Sequence, residues 1–282
     1  MTYDQRLDRL NPGLIVLLID QSESMLDPLA EGPTSKAGAV AEHLNSLIYE
    51  LILRCVKTPR EPPRPYIHIS AITYCTDNEG NPIIDEPLKR LVADGRAGST
   101  LTTTDLAAAP LRLDRRPGPT PGSQVNTPVW LDVVAQGGTP MCAAMNRAGA
   151  LAAGWVATYP NGFPPLIVNL TDGVATDGDP QIWSDRLRSL RTTDGSVLLF
   201  NVNLSRFARR PALFPSTPDG LPTDDAVRLW EMSSVLPESM REAAVQHGVD
   251  IRPGARGFAF NADVRALATF LNIGTRIGRS LR

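Results

Sequence analysis

The feature that most constrains the fold is a run of six apolar residues, Leu14 to Ile19, that leads directly into a polar segment. A short, continuous apolar run is typical of a strand buried on both faces of a parallel sheet. Asp20, Ser22 and Ser24 follow the run, at the end of the strand where open α/β sheets place ligand sites. Their carboxylate and hydroxyl oxygens are hard ligands suited to Mg²⁺. A strand followed by a serine-rich helix cap has the same pattern, so this segment needs support from elsewhere in the chain.

Strand patterns alternate with amphipathic helix patterns along the chain. This predicts an α/β fold with a doubly wound, mostly parallel sheet flanked by helices. The predicted helices span 36–54, 141–158, 180–190, 237–246 and 262–277. The predicted strands span 14–19, 66–75, 129–134, 166–170, 196–203 and 257–260. One face of the 66–75 strand is partly polar, which favours an antiparallel strand at the edge of the sheet.

We expect residues 1–282 to form a single domain, since a chain of this length can bury one large core. Two segments lack a regular pattern. The first is rich in Pro, Gly and Thr, and the second in Pro and Asp. They are interpreted as long loop insertions at about 92–127 and 206–225, the first of them partly mobile.

Composition indicates a cytoplasmic protein that binds neither nucleic acid nor membrane. The formal net charge is -2 and the pI is about 6.0, so nothing attracts the chain to polyanions. No apolar stretch reaches the roughly 18–20 residues of a membrane span, and the first residues lack the apolar core of a signal peptide. The three cysteines form neither a disulfide framework nor a metal clip. Cys142 is interpreted as a small core residue rather than a nucleophile.

Two further segments carry oxygen donors beside the ends of predicted elements. Thr139 precedes a predicted helix, and Thr171 and Asp172 follow a predicted strand. Because the carboxyl ends of parallel strands share one edge of the sheet, these segments can converge on Asp20. Two carboxylates and three hydroxyls, completed by water, would form an octahedral shell for Mg²⁺, with Mn²⁺ and Ca²⁺ as alternatives. Without a metal, the two carboxylates would face each other unscreened, which is unfavourable.

Taken in order, the three segments resemble those of von Willebrand factor A (vWA) domains. The motifs are Asp-x-Ser-x-Ser after a strand, Gly-Gly-Thr-Pro before a helix and Leu-Thr-Asp-Gly after a later strand. The resemblance covers most of the chain and includes the Phe-Leu-Asn-Ile-Gly-Thr of the closing helix. In that family the motifs form a metal-ion-dependent adhesion site (MIDAS). The resemblance implies that Ser22, Ser24 and Thr139 contact the ion, and that Asp20 and Asp172 bind it directly or through water.

The resemblance also implies a function. The family uses the open position of the ion to bind an Asp or Glu carboxylate of a partner, so the chain is expected to be a protein-interaction module and not an enzyme. It is similar to bacterial cytosolic members associated with tellurium resistance. This implies a stress-response or defence system, with a kinase, phosphatase or AAA⁺ ATPase encoded nearby as the partner. The chain departs from those members in lacking a cysteine-rich zinc segment and in its loop at 92–127.

The alternative is a metal-dependent hydrolase or phosphoryl-transfer enzyme that uses the same cation. Such an enzyme needs a base or nucleophile at the site, and His43, His68 and His247 are not at predicted strand ends. Glu23 and Asp177 are the spare carboxylates of the motif loops, and both are interpreted as solvated charges. The chain has neither a phosphate-binding loop motif nor a nucleophile-elbow motif. A structural subunit with a vestigial site is disfavoured because all five donors are present.

Overall fold

A computed structural model of the chain describes residues 3–29, 33–91, 100–118, 120, 122–132, 134–204 and 211–276. Its strands are β1 (Gly13–Asp20), β2 (Ile67–Thr76), β3 (Pro82–Asp85), β4 (Leu101–Thr102), β5 (Arg112–Pro117), β6 (Gln124–Val129), β7 (Leu166–Thr171), β8 (Leu198–Asn203), β9 (Ala212–Leu213) and β10 (Phe258–Phe260). Strands β5 and β6 form a separate hairpin, and the other eight form one sheet. Its order is β3-β2-β1-β7-β8-β10-β9, with β4 also paired to β2.

Helices cover both faces of this sheet. They are α1 (Lys36–Arg54), α2 (Thr103–Ala108), α3 (Met141–Thr158), α4 (Pro180–Ser189), α5 (Asp224–Met232), α6 (Glu238–Gln246) and α7 (Val264–Gly274). Helices α1, α2, α6 and α7 contribute to the core on one face, and α3, α4 and α5 to the core on the other. No helix in the described ranges is both long and apolar enough to cross a membrane.

Strand β1 lies in the middle of the sheet, as its apolar run predicts. It pairs in parallel with β2 on one side and with β7 on the other, and all of its residues are buried. Strands β8 and β10 continue the parallel arrangement, and the short strands at the edges are antiparallel. The predicted fold class, a mostly parallel sheet between layers of helices with an antiparallel edge, is therefore confirmed.

Strand β2 corrects the expectation that 66–75 is the antiparallel edge strand. It lies inside the sheet, parallel to β1, and β3 is the antiparallel strand on its outer side. Its partly polar face is buried from Ser70 onward: Ile72 and Tyr74 belong to the core beneath α3, and the Tyr74 hydroxyl donates to Asn169 Oδ1 at 2.8 Å. Because this hydroxyl has a buried hydrogen-bond partner, Tyr74 can be buried without cost from an unpaired polar group, and β2 need not lie at the edge of the sheet.

The segment 92–127 is more regular than the loop insertion predicted from its composition. Residues 92–99, 119 and 121 lie outside the described residues, and the remainder forms β4, α2 and the β5–β6 hairpin. A capping box begins α2, because the Thr102 hydroxyl accepts from Asp105 N at 3.1 Å while Asp105 accepts from Thr102 N. The strand predicted at 129–134 is wrong: β6 ends at Val129, the described residues beyond it are not in a strand, and Val133 is outside them.

The second predicted insertion, 206–225, is also partly regular. Residues 205–210 lie outside the described residues, and the rest contains β9 and the beginning of α5. Helix α5 was not predicted, because its nine residues follow a run rich in Pro, Gly and Asp that resembles a loop. Helices α1, α3, α4, α6 and α7 match the five predicted helices. Helix α7 is shorter at both ends than the predicted 262–277, and residue 277 lies outside the described residues.

Candidate metal centre

Two strand ends and one loop bring the predicted site residues together at the carboxyl edge of the sheet. Asp20 ends β1, and Asp172 directly follows the neighbouring strand β7. The loop that contains Thr139 is bonded to both segments. The Gln136 amide donates to the Gln21 carbonyl at 2.6 Å. The Thr139 carbonyl accepts from the Thr176 amide, which lies beyond β7, at 2.9 Å. The convergence expected from parallel strand ends is therefore present.

Asp20 is a buried carboxylate surrounded by hydrogen-bond donors. It is 1% exposed, and it accepts from the Thr171 hydroxyl at 2.6 Å and from the Ser22 amide at 2.8 Å. Burial raises the pKa of Asp20 to about 6; these hydrogen bonds oppose the shift, and the charge of Asp172 adds to it. In the described part of the chain, Asp20 has no ion-pair partner. A cation beside it would favour the charged carboxylate.

The hydroxyls of Ser22 and Ser24 form a short row of oxygens with Asp172. The two serine oxygens are 3.2 Å apart, and Ser24 Oγ donates to Asp172 Oδ1 at 2.8 Å. Ser22 is the N-cap of a 3-10 turn over Glu23–Leu26, and within this turn the Ser22 and Ser24 hydroxyls are in contact. Adjacent ligands of an octahedral Mg²⁺ ion lie about 3.0 Å apart, because the metal–oxygen distance is about 2.1 Å. The two separations are hydrogen-bond distances, and they are close enough to that value for the three oxygens to serve one ion.

Thr139 is held in place by the turn that precedes α3. The Gly138 amide donates to Thr76 Oγ1 at 2.7 Å, and Thr139 is buried. Gly137 has φ of +63°, and a β-carbon there would collide with the carbonyl of Thr76, so only glycine suits the turn. The Thr139 hydroxyl faces Gly173, where a β-carbon would lie 3.5 Å from Oγ1. The hydroxyl therefore lies next to the segment that carries Asp172.

Lys36 is a residue of the site that sequence reasoning missed. Its Nζ forms an ion pair with Asp172 Oδ2 and lies 3.4 Å from the Ser24 carbonyl and 3.8 Å from Asp27 Oδ2. The side chains of Lys36 and Asp172 are only 5% and 2% exposed. This corrects the expectation that two unscreened carboxylates would face each other without a metal, because the ammonium neutralises Asp172.

One signal in the sequence could have identified Lys36. It is the first residue of α1, directly after the N-cap Ser35. Carboxylates are favoured in the first turn of a helix and cations are disfavoured, because the helix dipole is positive there. A lysine at the start of the helix that follows Asp-x-Ser-x-Ser therefore suggests a nearby carboxylate, although its identity depends on the fold.

Asp177, interpreted above as a solvated charge, caps helix α3. Its carboxylate oxygens accept from the amides of Cys142 at 3.0 Å and Ala143 at 2.8 Å. Negative charge at a helix N-terminus is stabilising, which accounts for the carboxylate at this position. Burial, together with the charge of Asp177, raises the pKa of the Cys142 thiol to about 12. Cys142 is buried, as expected of a core residue.

The donor set fits a small, hard cation that retains water. In the described residues there is no group of three or more His, Cys, Asp or Glu that could hold a metal ion. Asp20, Asp172 and the hydroxyls would therefore form the protein part of the shell. Mg²⁺ sites commonly combine one or two carboxylates with several waters, which agrees with this set. Lys36 is the feature that does not belong to such a shell, since it occupies one oxygen of Asp172.

Comparisons with known proteins add matches to solved structures only. No protein-family model and no curated protein matches the chain. Pilus adhesin SpaC from Lactobacillus rhamnosus GG matches with TM-score 0.49 and 11% identity over 97% of this chain and 32% of its own. A von Willebrand factor type A protein from Catenulispora acidiphila matches with TM-score 0.42 and 14% identity over 94% of this chain and 42% of its own.

A third solved structure, the manganese-loaded TRAP protein of Plasmodium vivax, matches with TM-score 0.37 and 14% identity over 87% of this chain and 74% of its own. The chain thus spans about a third of SpaC and less than half of the Catenulispora protein. Identities of 11–14% do not assign the chain to a family. What the site does has to follow from its own residues.

Proposed function

We propose that the chain is a vWA-type interaction domain whose strand-end site binds a divalent cation, most simply Mg²⁺, and through it a carboxylate of a partner protein. The observation that supports this most directly is the row of oxygens from Ser22, Ser24 and Asp172, spaced like adjacent ligands of one ion. The motif resemblance and the approach of Thr139 to the same edge support it further.

Each residue has a separate task in this proposal. Ser22, Ser24 and Thr139 would supply neutral oxygens, and Asp20 and Asp172 would supply the negative charge, directly or through water. The hydrogen bonds from Thr171 and from the Ser22 amide orient Asp20 so that its carboxylate cannot turn away from the edge. An ion held mainly by neutral hydroxyls stays electrophilic and would offer an open position to a partner's Asp or Glu oxygen.

The cellular setting is part of the same proposal. A single cytoplasmic domain that binds neither nucleic acid nor membrane would act in a bacterial stress-response or defence system of the tellurium-resistance type. Its partner would be a protein with an accessible Asp or Glu, and a kinase, phosphatase or AAA⁺ ATPase encoded nearby is the first candidate.

Catalysis by the same cation is the less favoured proposal. His68 lies near the amino end of β2, at the edge of the sheet away from Asp20, and its ring contacts that of Trp155 edge to face. Asp177 is engaged at the start of α3, and the thiol of Cys142 is protonated at neutral pH. None of these groups has the position or the protonation state of a general base at the site. Phosphate-ester hydrolysis that is lost in Asp20→Asn would favour the enzyme instead.

Cation binding is the first test. Wild-type protein, Ser24→Ala and Asp20→Asn are titrated with Mn²⁺ by calorimetry, and the expected result is binding that weakens at least about tenfold in both variants. Ser46→Ala, which removes an exposed hydroxyl of α1, is the matched control and should bind as the wild type does. Equal binding by all four proteins would place the cation elsewhere.

Partner binding is the second test. A candidate partner is captured on immobilised chain in Mg²⁺ and again in chelator, with Asp20→Asn as the site variant. We expect capture in Mg²⁺ alone and none by Asp20→Asn. Capture that is equal in chelator, or equal with the variant, would contradict recognition of a carboxylate through the ion.

A further inference from the structure

The ammonium of Lys36 lies within the group of oxygens that the cation would use. Its Nζ pairs with Asp172 Oδ2, while the other oxygen of that carboxylate accepts from Ser24 at 2.8 Å. The same Nζ is 3.4 Å from the Ser24 carbonyl. Both charged side chains are almost completely buried. Both oxygens of Asp172 therefore have partners within this chain before any ion is considered.

The position of Lys36 is costly in two ways unless Asp172 compensates for it. Its side chain is removed from water, and a buried ammonium is unfavourable without a paired charge. It also lies at the first residue of α1, where the positive end of the helix dipole disfavours a cation. Asp172 is thus the counter-ion that holds Lys36 in place, and it is also a carboxylate required by the proposed cation.

We propose that Lys36 is a tethered competitor of the divalent cation, an inference that rests on the cation-binding function proposed above. Two cations cannot share Asp172 without repelling each other, and the repulsion is weakly screened because the pair is buried. The ion pair therefore lowers the cation affinity of the site. Because the two equilibria are linked, a bound cation weakens the ion pair between Lys36 and Asp172 by the same factor by which that pair lowers the cation affinity.

Asp27 offers the displaced ammonium a second position. Its Oδ2 is 3.8 Å from Lys36 Nζ, and its side chain is 47% exposed, so it lies on the solvent side of the ion pair. The Lys36 amide donates to the Asp27 carbonyl at 2.9 Å, which fixes the two backbones together. A rotation of the Lys36 side chain toward Asp27 would release Asp172 without moving α1. The exchange between ammonium and divalent cation is therefore local.

The test measures Mn²⁺ binding by calorimetry on the full chain, with variants of Lys36. Lys36→Met removes the charge and keeps an apolar chain, Lys36→Gln retains a hydrogen-bond donor for Asp172, and Lys36→Arg keeps the charge. We expect the first two to tighten the Kd for Mn²⁺ about 5- to 150-fold, and Lys36→Arg to stay near the wild type. Lys89→Met, which breaks the surface pair with Glu86, is the control and should not change the Kd.

Thermal unfolding provides a readout that is independent of partner binding. Without Mn²⁺, Lys36→Met should unfold at a lower temperature than the wild type, because Asp172 is left buried and unpaired. Saturating Mn²⁺ should raise its Tm more than it raises that of the wild type. If Lys36→Met fails to fold even with Mn²⁺, Lys36→Gln serves for both measurements.

The outcomes separate this inference from the function on which it rests. Mn²⁺ binding by the wild type with an unchanged Kd in Lys36→Gln would overturn the role of Lys36 and leave the cation site standing. Absence of binding by the wild type and by every Lys36 variant would overturn the cation site, and the competition with it. Tighter binding that is lost when Asp172→Asn is added to Lys36→Gln would support both.

Discussion

At the scale of single residues, burial controls the chemistry of the three cysteines. Cys55, Cys75 and Cys142 are all buried, and burial raises the pKa of each thiol, that of Cys142 to about 12. With a pKa this high the Cys142 thiol stays almost entirely protonated at pH 8, whereas an ordinary thiol with a pKa of about 8.5 is partly ionised there. We expect iodoacetamide at pH 8 to leave the native protein unmodified over a period that fully alkylates glutathione.

Mass spectrometry of the intact chain measures this reaction. The same reagent applied after unfolding in urea should add three groups, which shows that the thiols are free and that the fold protects them. Rapid alkylation of Cys142 in the native protein would contradict its packing and would revive the question of a nucleophile near Thr139.

The residues of the site differ in how far the sequence could reveal them. Asp20, Ser24 and Asp172 could be predicted because each sits beside a recognisable strand, and parallel strands end at one edge. Lys36 could not be assigned in the same way. Lys36 pairs with Asp172 because the start of α1 lies next to the end of β7. This is a tertiary contact, and no local sequence pattern indicates it.

At the scale of elements, the start of α1 connects helix stability with the site. The N-cap Ser35 accepts from the Gly38 amide at 3.1 Å, and this bond satisfies one donor of the first turn that begins at Lys36. Ser35→Ala should lower the free energy of unfolding by about 1 kcal/mol. Urea denaturation, monitored by circular dichroism, measures this loss of stability.

A second serine of the same helix is the control for this prediction. Ser46 is exposed in the middle of α1, and its hydroxyl bonds back to the Glu42 carbonyl at 3.0 Å. Such a bond adds little to the stability of a helix, and alanine has a higher helix propensity than serine. Ser46→Ala should therefore not lower the free energy of unfolding. Equal losses in Ser35→Ala and Ser46→Ala would show that the cap does not contribute beyond ordinary helix propensity.

Predictions from the sequence worked best for long elements with a clear period. Helix α3 was predicted with both ends as observed, because its small apolar residues run from Pro140 to the Pro and Gly beyond Thr158. Short elements failed for physical reasons. The hairpin of β5 and β6 is formed of charged and proline-containing strands without alternation, and α5 is nine residues long and follows a loop-like run. Such elements depend on tertiary contacts more than on local pattern.

At the scale of the whole molecule, the site lies between β1 and β7, where the order in which the chain adds strands to the sheet reverses. The chain proceeds from β1 outward to β2 and β3, then returns to β7 on the other side of β1 and continues to β8 and β10. Ligand sites of open α/β sheets lie at such switch points, because the connections diverge there and leave the strand ends uncovered. Asp20 and Asp172 come from the two strands on either side of that point.

The sheet also divides the molecule into two cores, and this division is testable. Ile69 in β2 belongs to the core beneath α1, and Ile167 in β7 belongs to the core beneath α3. Two strand spacings, about 9.6 Å, separate them in addition to the sheet itself. Each Ile→Val change should lower the free energy of unfolding by about 0.5–1.5 kcal/mol, and the double variant should lose the sum to within about 0.5 kcal/mol.

A second pair within one core is the control for this additivity. Ile15 in β1 lies opposite Ile69 in the parallel register, and both face the core beneath α1. Because these side chains share neighbours, Ile15→Val and Ile69→Val together should depart from the sum of the single losses by about 0.5 kcal/mol or more. The free energies come from urea unfolding of the three single and two double variants beside the wild type. Strong coupling between Ile69 and Ile167 would mean that the sheet transmits packing changes from one face to the other, and with them changes at the site on its edge.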